Sequence, residues 1–230
     1  MGVSNHTYKK IVDVIKNNLS SIKDKKVLCL GYPDLLVDEK TLVSIYGNDF
    51  VKSIPEDSCA NEIRVWHKST LPKIYDALYL LEHHGFEVTI FDTFSHRNIE
   101  TIVDLNEPIS EEFFNKFDLI IDTGTLEHCF NVGTAFKNVC STVKVGGIFM
   151  TAAPMTKLNH GYWNFGTIVH YDGFTQNGFE ILDRTFYNRG IEIPLEKITP
   201  KSIPLKSVAT CIAKKIKQQD WIWPIQGKYK

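Results

Sequence analysis

Apolar residues first recur at helical spacing over residues 6 to 22 (HTYKKIVDVIKNNLSSI), where Tyr8, Ile11, Val12, Ile15, Leu19 and Ile22 share one face, so an amphipathic helix is expected as a lid or flank. The pattern then changes to short continuous apolar runs closed by turn residues. KKVLCLG, followed by Pro33, reads as a buried first strand ending at Gly31. Residues 35 to 66 mix apolar patches with turn formers at no dominant period and read as an insertion. With Ser69 or Thr70 as cap and Pro72 in the first turn, KIYDALYLLEHH predicts a helix that stops at Gly85. Beyond it FEVTIFD is a second strand ending on Asp92, ETIVD a short third ending on Asp104, and DLIID a fourth ending on Asp122. Ser110 is expected to cap a helix over EEFFNKF between the last two. Residues 132 to 144 predict a helix stopped by Gly146-Gly147, from which IFMTAAP emerges as a fifth strand. FEILDRTF and SVATCIAKK are two final strands on either side of a proline-containing loop, residues 187 to 205.

Strands that alternate with helices through glycine turns favour a parallel, doubly wound sheet. The last two strands have no helix between them and are expected to be antiparallel at one edge. The expected fold is α/β and Rossmann-like: a mostly parallel seven-stranded sheet with an antiparallel last strand and helices on both faces. A chain of 230 residues, 43% hydrophobic, suits a single domain over 1–230, with 1–24 a helical flank, 35–66 the insertion and 215–230 a tail. The tail sequence WIWPIQGKY is apolar enough to pack on its own domain or on a second copy in a homodimer, and the pattern leaves both open.

A formal net charge of −1 with interspersed signs offers no basic stripe for nucleic acid. The five cysteines form an odd set without C-x-x-C, and several sit in apolar runs, which fits a reduced cytoplasm. No run approaches the roughly 18 apolar residues of a membrane span. The start MGVSNHTYKK has no apolar signal core, and His6 stands where a myristoylation signal wants Ser or Thr, so a soluble, unexported protein is expected. G-x-S-x-G and G-x-x-x-x-G-K are absent, which disfavours a serine hydrolase and a P-loop enzyme. His83-His84 at a helix end suit terminal carbonyls better than zinc when no cysteine lies at ligand spacing, and no metal is expected.

In open α/β sheets, ligands bind outside the carboxyl ends of the strands near the switch point. Those ends carry Gly31, Asp92, Asp104, Asp122 and Pro154. A carboxylate at the end of the second strand can accept hydrogen bonds from ribose hydroxyls, and Asp92 is placed for that role. The competing reading for each aspartate is a turn cap.

The succession VLCLG, VTIFD, VDLNEP, FDLIIDTGTLEHCFN, VKVGGIFMTAAP and NHGYWNF, over about residues 25 to 215, resembles class I S-adenosylmethionine-dependent methyltransferases. DLNEP, TGTLEH and NHGYWNF together resemble a bacterial group associated with surface-polysaccharide biosynthesis. The resemblance implies S-adenosylmethionine as cofactor, with Gly31, Pro33, Asp34, Asp92, Asp104, Leu105, Asp122, Thr123 and Gly124 as its contacts. It departs from the family at the first motif, where Cys29 stands in place of an acid and GYPD keeps one glycine. Tyr32 and Pro33 imply a different loop shape there, and Asp34 is the candidate to replace the acid at the methionine amine. About 60 residues separate Gly31 from Asp92 where the family has about 20, a length that a surface insertion accommodates at modest entropic cost.

Methyl transfer is an in-line displacement in which the protein mainly aligns the reacting atoms, and a hydroxyl acceptor gains from a base with a pKa near the working pH. Histidine suits that task. His160, in the loop after the fifth strand, is the preferred base; His128 is the second candidate, with Glu127 orienting it or binding the acceptor. Tyr162 and Asn164 are expected near the acceptor, with Trp163 and Phe165 as packing. The implied function is O-methylation of a small polar acceptor: a sugar, a sugar nucleotide or a phosphorylated precursor of a capsule or other surface glycan. A non-catalytic binding or scaffold protein on the same fold is the alternative, motivated by the reduced glycine loop. An NAD-linked nucleotide-sugar enzyme is disfavoured because G-x-G-x-x-G is absent after the first strand.

Overall fold

A computed structural model describes residues 2–18, 22–194, 197–199 and 201–229. Near its start β1 (Gly2–Ser4) pairs in parallel with β3 (Asp34–Leu36), a small ribbon apart from the main sheet. The main sheet contains β2 (Lys26–Leu30), β4 (Glu87–Asp92), β5 (Thr101–Ile102), β6 (Phe117–Asp122), β7 (Val143–Pro154), β8 (Phe179–Asn188), β9 (Ile191–Glu192) and β10 (Ser207–Lys215). They lie side by side as β5-β4-β2-β6-β7-β10-β8-β9. Pairing is parallel from β5 through β7, β10 is antiparallel to both β7 and β8, and β9 is antiparallel to β8.

The fold class is therefore the doubly wound α/β one that the pattern predicts, with one difference. The sheet has eight strands among the described residues, because β9 forms inside the expected 187–205 loop. The last two long strands, β8 and β10, are antiparallel toward one edge as expected, with β10 lying between β7 and β8. Burial explains its place: eight of its nine residues are buried, and a strand buried on both faces takes neighbours on both sides.

Alternation along the central strands divides the core. Val27 and Cys29 of β2, Leu119 and Ile121 of β6, and Ile148 and Met150 of β7 face one layer, whereas Leu28, Leu30, Ile120 and Phe149 face the other. The first layer is covered by α1 (Asn5–Asn17), α2 (Glu39–Tyr46), α3 (Asn48–Ser53) and α5 (Ala77–His83). The second is covered by α6 (Val132–Thr142) and α7 (Val169–Thr175), while α4 (Ala60–His67) packs Ala60 and Ile63 on Ile74 in a small core of its own. The amphipathic opening helix is thus a layer of the core, with Tyr8, Ile11, Val12, Val14 and Ile15 buried; Leu19 lies outside the described residues. Residues 35 to 66 show no single period because α2, α3 and α4 are short and bury different faces.

Three element boundaries move from their expected places. The helix expected from Ser69 begins at Ala77, where Asp76 accepts from the Tyr79 N–H at 3.0 Å; it ends at Gly85, φ +82°, as expected. Ahead of it the chain is held extended, the Asp57 N–H donating to Ile74 O at 2.8 Å and the Asp76 N–H to Pro55 O at 3.1 Å. EEFFNKF yields one 3-10 turn, Glu111–Phe113, because Asn115 and Lys116 donate their N–H groups to Ser141 and Thr142 carbonyls and enter the sheet. The Gly146-Gly147 pair lies inside β7, which follows α6 directly. Gly146 takes φ +89° at a register shift against β6, and a Cβ on Gly147 would come within 3.1 Å of Phe117 O and Asp118 O.

Part of the tail packs on its own chain, while Ile222, Trp223 and Ile225 stay exposed. Trp221 meets Phe136 at 6.1 Å between ring centroids, and the Ile222 N–H donates to Asn177 Oδ1 at 2.8 Å. Among the described residues no helix is long and apolar enough to cross a membrane.

Candidate active site

The chain runs from β2 outward to β4 and β5, then returns to β6 on the other side of β2, so the switch point lies between β2 and β6. A cavity of about 1110 Å³ opens there at the carboxyl ends of the strands. Gly31 closes β2 with φ +70°, and its N–H donates to Phe91 O at 2.7 Å, tying the exit of one strand to its neighbour. Asp92 at the end of β4 and Asp104 just beyond β5 both line the cavity. Asp92 Oδ1 accepts from the Thr93 N–H at 2.7 Å, and Asp104 Oδ1 accepts from Asn106 N and Nδ2 at 2.9 and 2.8 Å. Among the described residues the second oxygen of each carboxylate accepts no hydrogen bond, which leaves two acceptors at adjacent strand ends. Leu105, Thr123 and Gly124 share this wall.

Asp122 does not line the cavity; it builds it. Fully buried, it accepts from the Gly124 and Thr125 N–H groups at 3.2 and 2.9 Å and from Thr151 Oγ1 at 2.8 Å. Burial nevertheless raises its pKa against these bonds. Thr125 Oγ1 donates to Leu30 O at 2.7 Å, so the turn after β6 is stitched to the end of β2. Pro33 and Asp34 also stand off the cavity wall. Rather than facing the cavity, Asp34 is turned to His67 Nε2 at 2.9 Å and to Arg97 Nη2 at 3.2 Å. Arg97 also lies 3.5 Å above the Tyr32 ring and 3.4 Å from Asp57 Oδ1, so a buried ion cluster fills the place where the family resemblance puts a glycine loop.

At the other end of the cavity stand Glu127 and His128, in a 3-10 turn over Leu126–His128, and His160 from the loop after β7. That loop is fastened to the turn: the Trp163 N–H donates to Glu127 O at 3.2 Å, and Trp163 Nε1 donates to Cys129 O at 3.1 Å. Gly161 permits the approach, since a Cβ there would lie 2.8 Å from Glu127 O. His160 Nε2 comes 3.4 Å from Glu127 Oε1, and the His128 and His160 rings meet edge to face at 5.2 Å. Glu127 is 1% exposed, and its Oε2 has no hydrogen-bond partner. Burial, followed by the charge of Asp122, pushes its pKa up to about 8. Partial shielding lowers both imidazoles, and the charge of Lys157 adds to this at His160.

Tyr162 and Asn164 do not reach the cavity. Tyr162 is 67% exposed against the edge of Phe130, and Asn164 Oδ1 pins the loop by accepting from the Lys157 N–H at 2.8 Å. Phe165 is buried in the core. Sequence reasoning missed the opposite wall, formed by Ser4, Asn5, His6 and Lys9 together with Tyr187, Arg189 and Lys206. Thr7 Oγ1 lies 3.0 Å from Tyr187 Oη, and the His6 and Tyr187 rings are 4.3 Å apart, contacts across 180 residues that no local pattern signals.

No protein-family model matches the chain, and no curated protein matches it. Solved structures superpose on the chain in part. TehB from Haemophilus influenzae superposes with a TM-score of 0.49 at 17% identity over 90% of this chain and 62% of that one, so the chain spans less than two thirds of TehB. A 1,6-didemethyltoxoflavin-N1-methyltransferase from Burkholderia thailandensis, solved with 1,6-didemethyltoxoflavin and S-adenosylhomocysteine bound, superposes with a TM-score of 0.48 at 13% identity over 92% of this chain and 84% of that one.

Proposed function

We propose that the chain is an S-adenosylmethionine-dependent methyltransferase acting on an oxygen of a small polar acceptor: a sugar, a sugar nucleotide or a phosphorylated precursor of a capsule or other surface glycan. One observation carries the reading: a single cavity joins the open carboxylate oxygens of Asp92 and Asp104 to the Glu127, His128 and His160 cluster. The residues fit the cofactor. Two carboxylates at adjacent strand ends suit the ribose diol and the adenine side, and positive φ at Gly31 and Gly124 lets backbone approach a ligand closely. A volume of about 1110 Å³ exceeds the roughly 300–1000 Å³ typical of one small ligand, which leaves room for an acceptor beside the cofactor.

S-adenosylmethionine supplies a methyl group on a positively charged sulfur, already activated for displacement. The chain binds the nucleoside end through Asp92 and Asp104, holds the Gly124 turn through Asp122, and offers Glu127, His128 and His160 where the acceptor loses its proton. When bound, the cofactor would supply the methyl group for an acceptor oxygen that these residues hold and relieve of its proton. The acceptor class rests on DLNEP, TGTLEH and NHGYWNF, and Lys9, Lys157, Arg189 and Lys206 on the cavity wall suit one that carries phosphate. The five cysteines form no disulfide, in keeping with a cytoplasmic enzyme. The second reading, a non-catalytic binding protein, is favoured by Tyr32 and Arg97 filling the first loop.

Calorimetry with S-adenosylhomocysteine tests the assignment. Asp92→Ala removes charge-assisted bonds of about 1.5–3 kcal/mol and is expected to weaken binding roughly 10- to 100-fold. Unchanged affinity in a folded variant removes Asp92 from the site, and no binding by the wild type favours the second reading.

A further inference from the structure

We propose that Glu127, His128 and His160 bind a divalent first-row transition-metal ion at the acceptor end of the cavity. One donor atom from each residue lies within 4.8 Å of the other two, and the Glu127 Oε1 to His160 Nε2 separation is 3.4 Å. A metal about 2.0–2.2 Å from each donor sets tetrahedral or octahedral neighbours roughly 3–3.5 Å apart, so the Glu127–His160 pair is already in place and a small turn of the His128 ring closes the set. A second observation points to a cation independently of that spacing. Glu127 is almost wholly buried, lines the cavity, and presents an Oε2 with no hydrogen-bond donor. A buried carboxylate oxygen is costly when unpaired, and a cation held by both Oε1 and Oε2 of Glu127 satisfies it. Lys157 shares the wall but makes no ion pair with Glu127.

The surroundings are built to hold the side chains. Glu127 and His128 follow the turn anchored by Asp122, and the His160 loop is fastened to Glu127 through its own backbone oxygen. Glycines flank the carboxylate: a Cβ on Gly124 would lie 3.0 Å from Oε1, and one on Gly161 would lie 2.9 Å from Cγ. Two imidazoles and one carboxylate suit zinc, cobalt, nickel, manganese or ferrous iron better than magnesium or calcium, which prefer oxygen donors. Three protein ligands leave coordination positions open to the cavity. The role, though not the binding, rests on the methyltransferase reading. An acceptor hydroxyl bound at an open position is acidified and releases its proton to cavity water, so His160 acts as a ligand and the ion replaces a protein base.

Sequence spacing gave no hint of this site, because its ligands come from two segments more than thirty residues apart. The test uses the full chain, stripped with a chelator and titrated with Co²⁺ as a visible-absorption probe, with Zn²⁺ added as competitor. One equivalent is expected to bind and to be displaced by Zn²⁺ but not by Mg²⁺. Glu127→Gln risks misfolding, so His128→Asn and His160→Asn, at exposed positions, carry the test. Each is expected to weaken Co²⁺ binding at least about 10-fold, while His96→Asn, at an exposed site elsewhere, leaves it unchanged. Absence of stoichiometric binding, or binding indifferent to both site variants with wild-type circular dichroism, overturns the inference. S-adenosylhomocysteine calorimetry on the same preparations separates the two readings. Cofactor binding without Co²⁺ binding sinks the metal site alone; Co²⁺ binding lost in the site variants, without cofactor binding, supports the metal site and sinks the methyltransferase.

Discussion

His170 shows what a single buried group does to stability. It sits in α7, stacked on Phe165 at 5.2 Å and near Phe136 and Phe174, with no partner for Nε2. Burial, with the charge of Arg184 adding to it, lowers its pKa from 6.5 to about 4. The folded value lies below the unfolded one, so the unfolded chain takes up the proton first. The stability is present above about pH 6.5 and is lost as pH falls toward about 4. Between pH 7 and pH 5 this group is expected to cost on the order of 2 kcal/mol, and His170→Phe should remove that part of the acid sensitivity. Urea unfolding at the two pH values decides it; an identical pH dependence in the variant excludes His170 as the cause. At this scale Asp92, Asp104, Glu127, His128 and His160, singled out from the sequence, line the cavity because strand ends and the turns after them face the crevice. Tyr162, Asn164 and Asp34 stand off the cavity wall because the direction of a loop side chain depends on what the loop packs against.

Arg97 joins three elements that are separate in sequence. Its side chain, 7% exposed, reaches Asp34 of β3 at 3.2 Å and Asp57 before α4 at 3.4 Å, and it lies over Tyr32 at the exit of β2. The arginine comes from the loop after β4, so it clamps the 35–66 segment onto the sheet. Arg97→Ala takes the guanidinium from buried Asp57 and leaves Asp34 to its pairing with His67, and it is expected to cost roughly 3–5 kcal/mol. Arg97→Lys should recover little, since one ammonium cannot span both acids and stack on the ring. A denaturation midpoint for Arg97→Ala shifted by less than about 1 kcal/mol worth of stability would show the cluster to be dispensable. The same long-range bonding explains the elements that were drawn too long. The Ser110 cap and the Gly85 stop are visible locally, yet the stretch before α5 is held extended by Pro55 and Asp57, which no window around Ser69 contains.

Across the whole molecule, the cavity is walled by the strand ends on one side and by the N-terminal segment with the β8–β10 end on the other, so a ligand there binds only the folded arrangement. S-adenosylhomocysteine at a hundred times its measured dissociation constant is expected to add about 2.7 kcal/mol. For a chain of this length that raises the thermal midpoint by roughly 5–10 °C. A midpoint unmoved at that concentration would mean that the ligand does not bind the folded chain through this cavity. The sequence by itself determined the layers: parallel strands covered on both faces need continuous apolar runs, and their ends need turn formers and acids. FDLIIDTG shows both in eight residues. Only the tertiary structure decided that β10 enters between β7 and β8, that the opening helix walls the cavity, and that Glu127, His128 and His160 converge. The physical reason is range: periodicity and capping act over a few residues, whereas contacts such as His6 with Tyr187 and Glu127 with His160 exist only once the layers have packed, and burial, which sets their strength, is a property of the assembled fold.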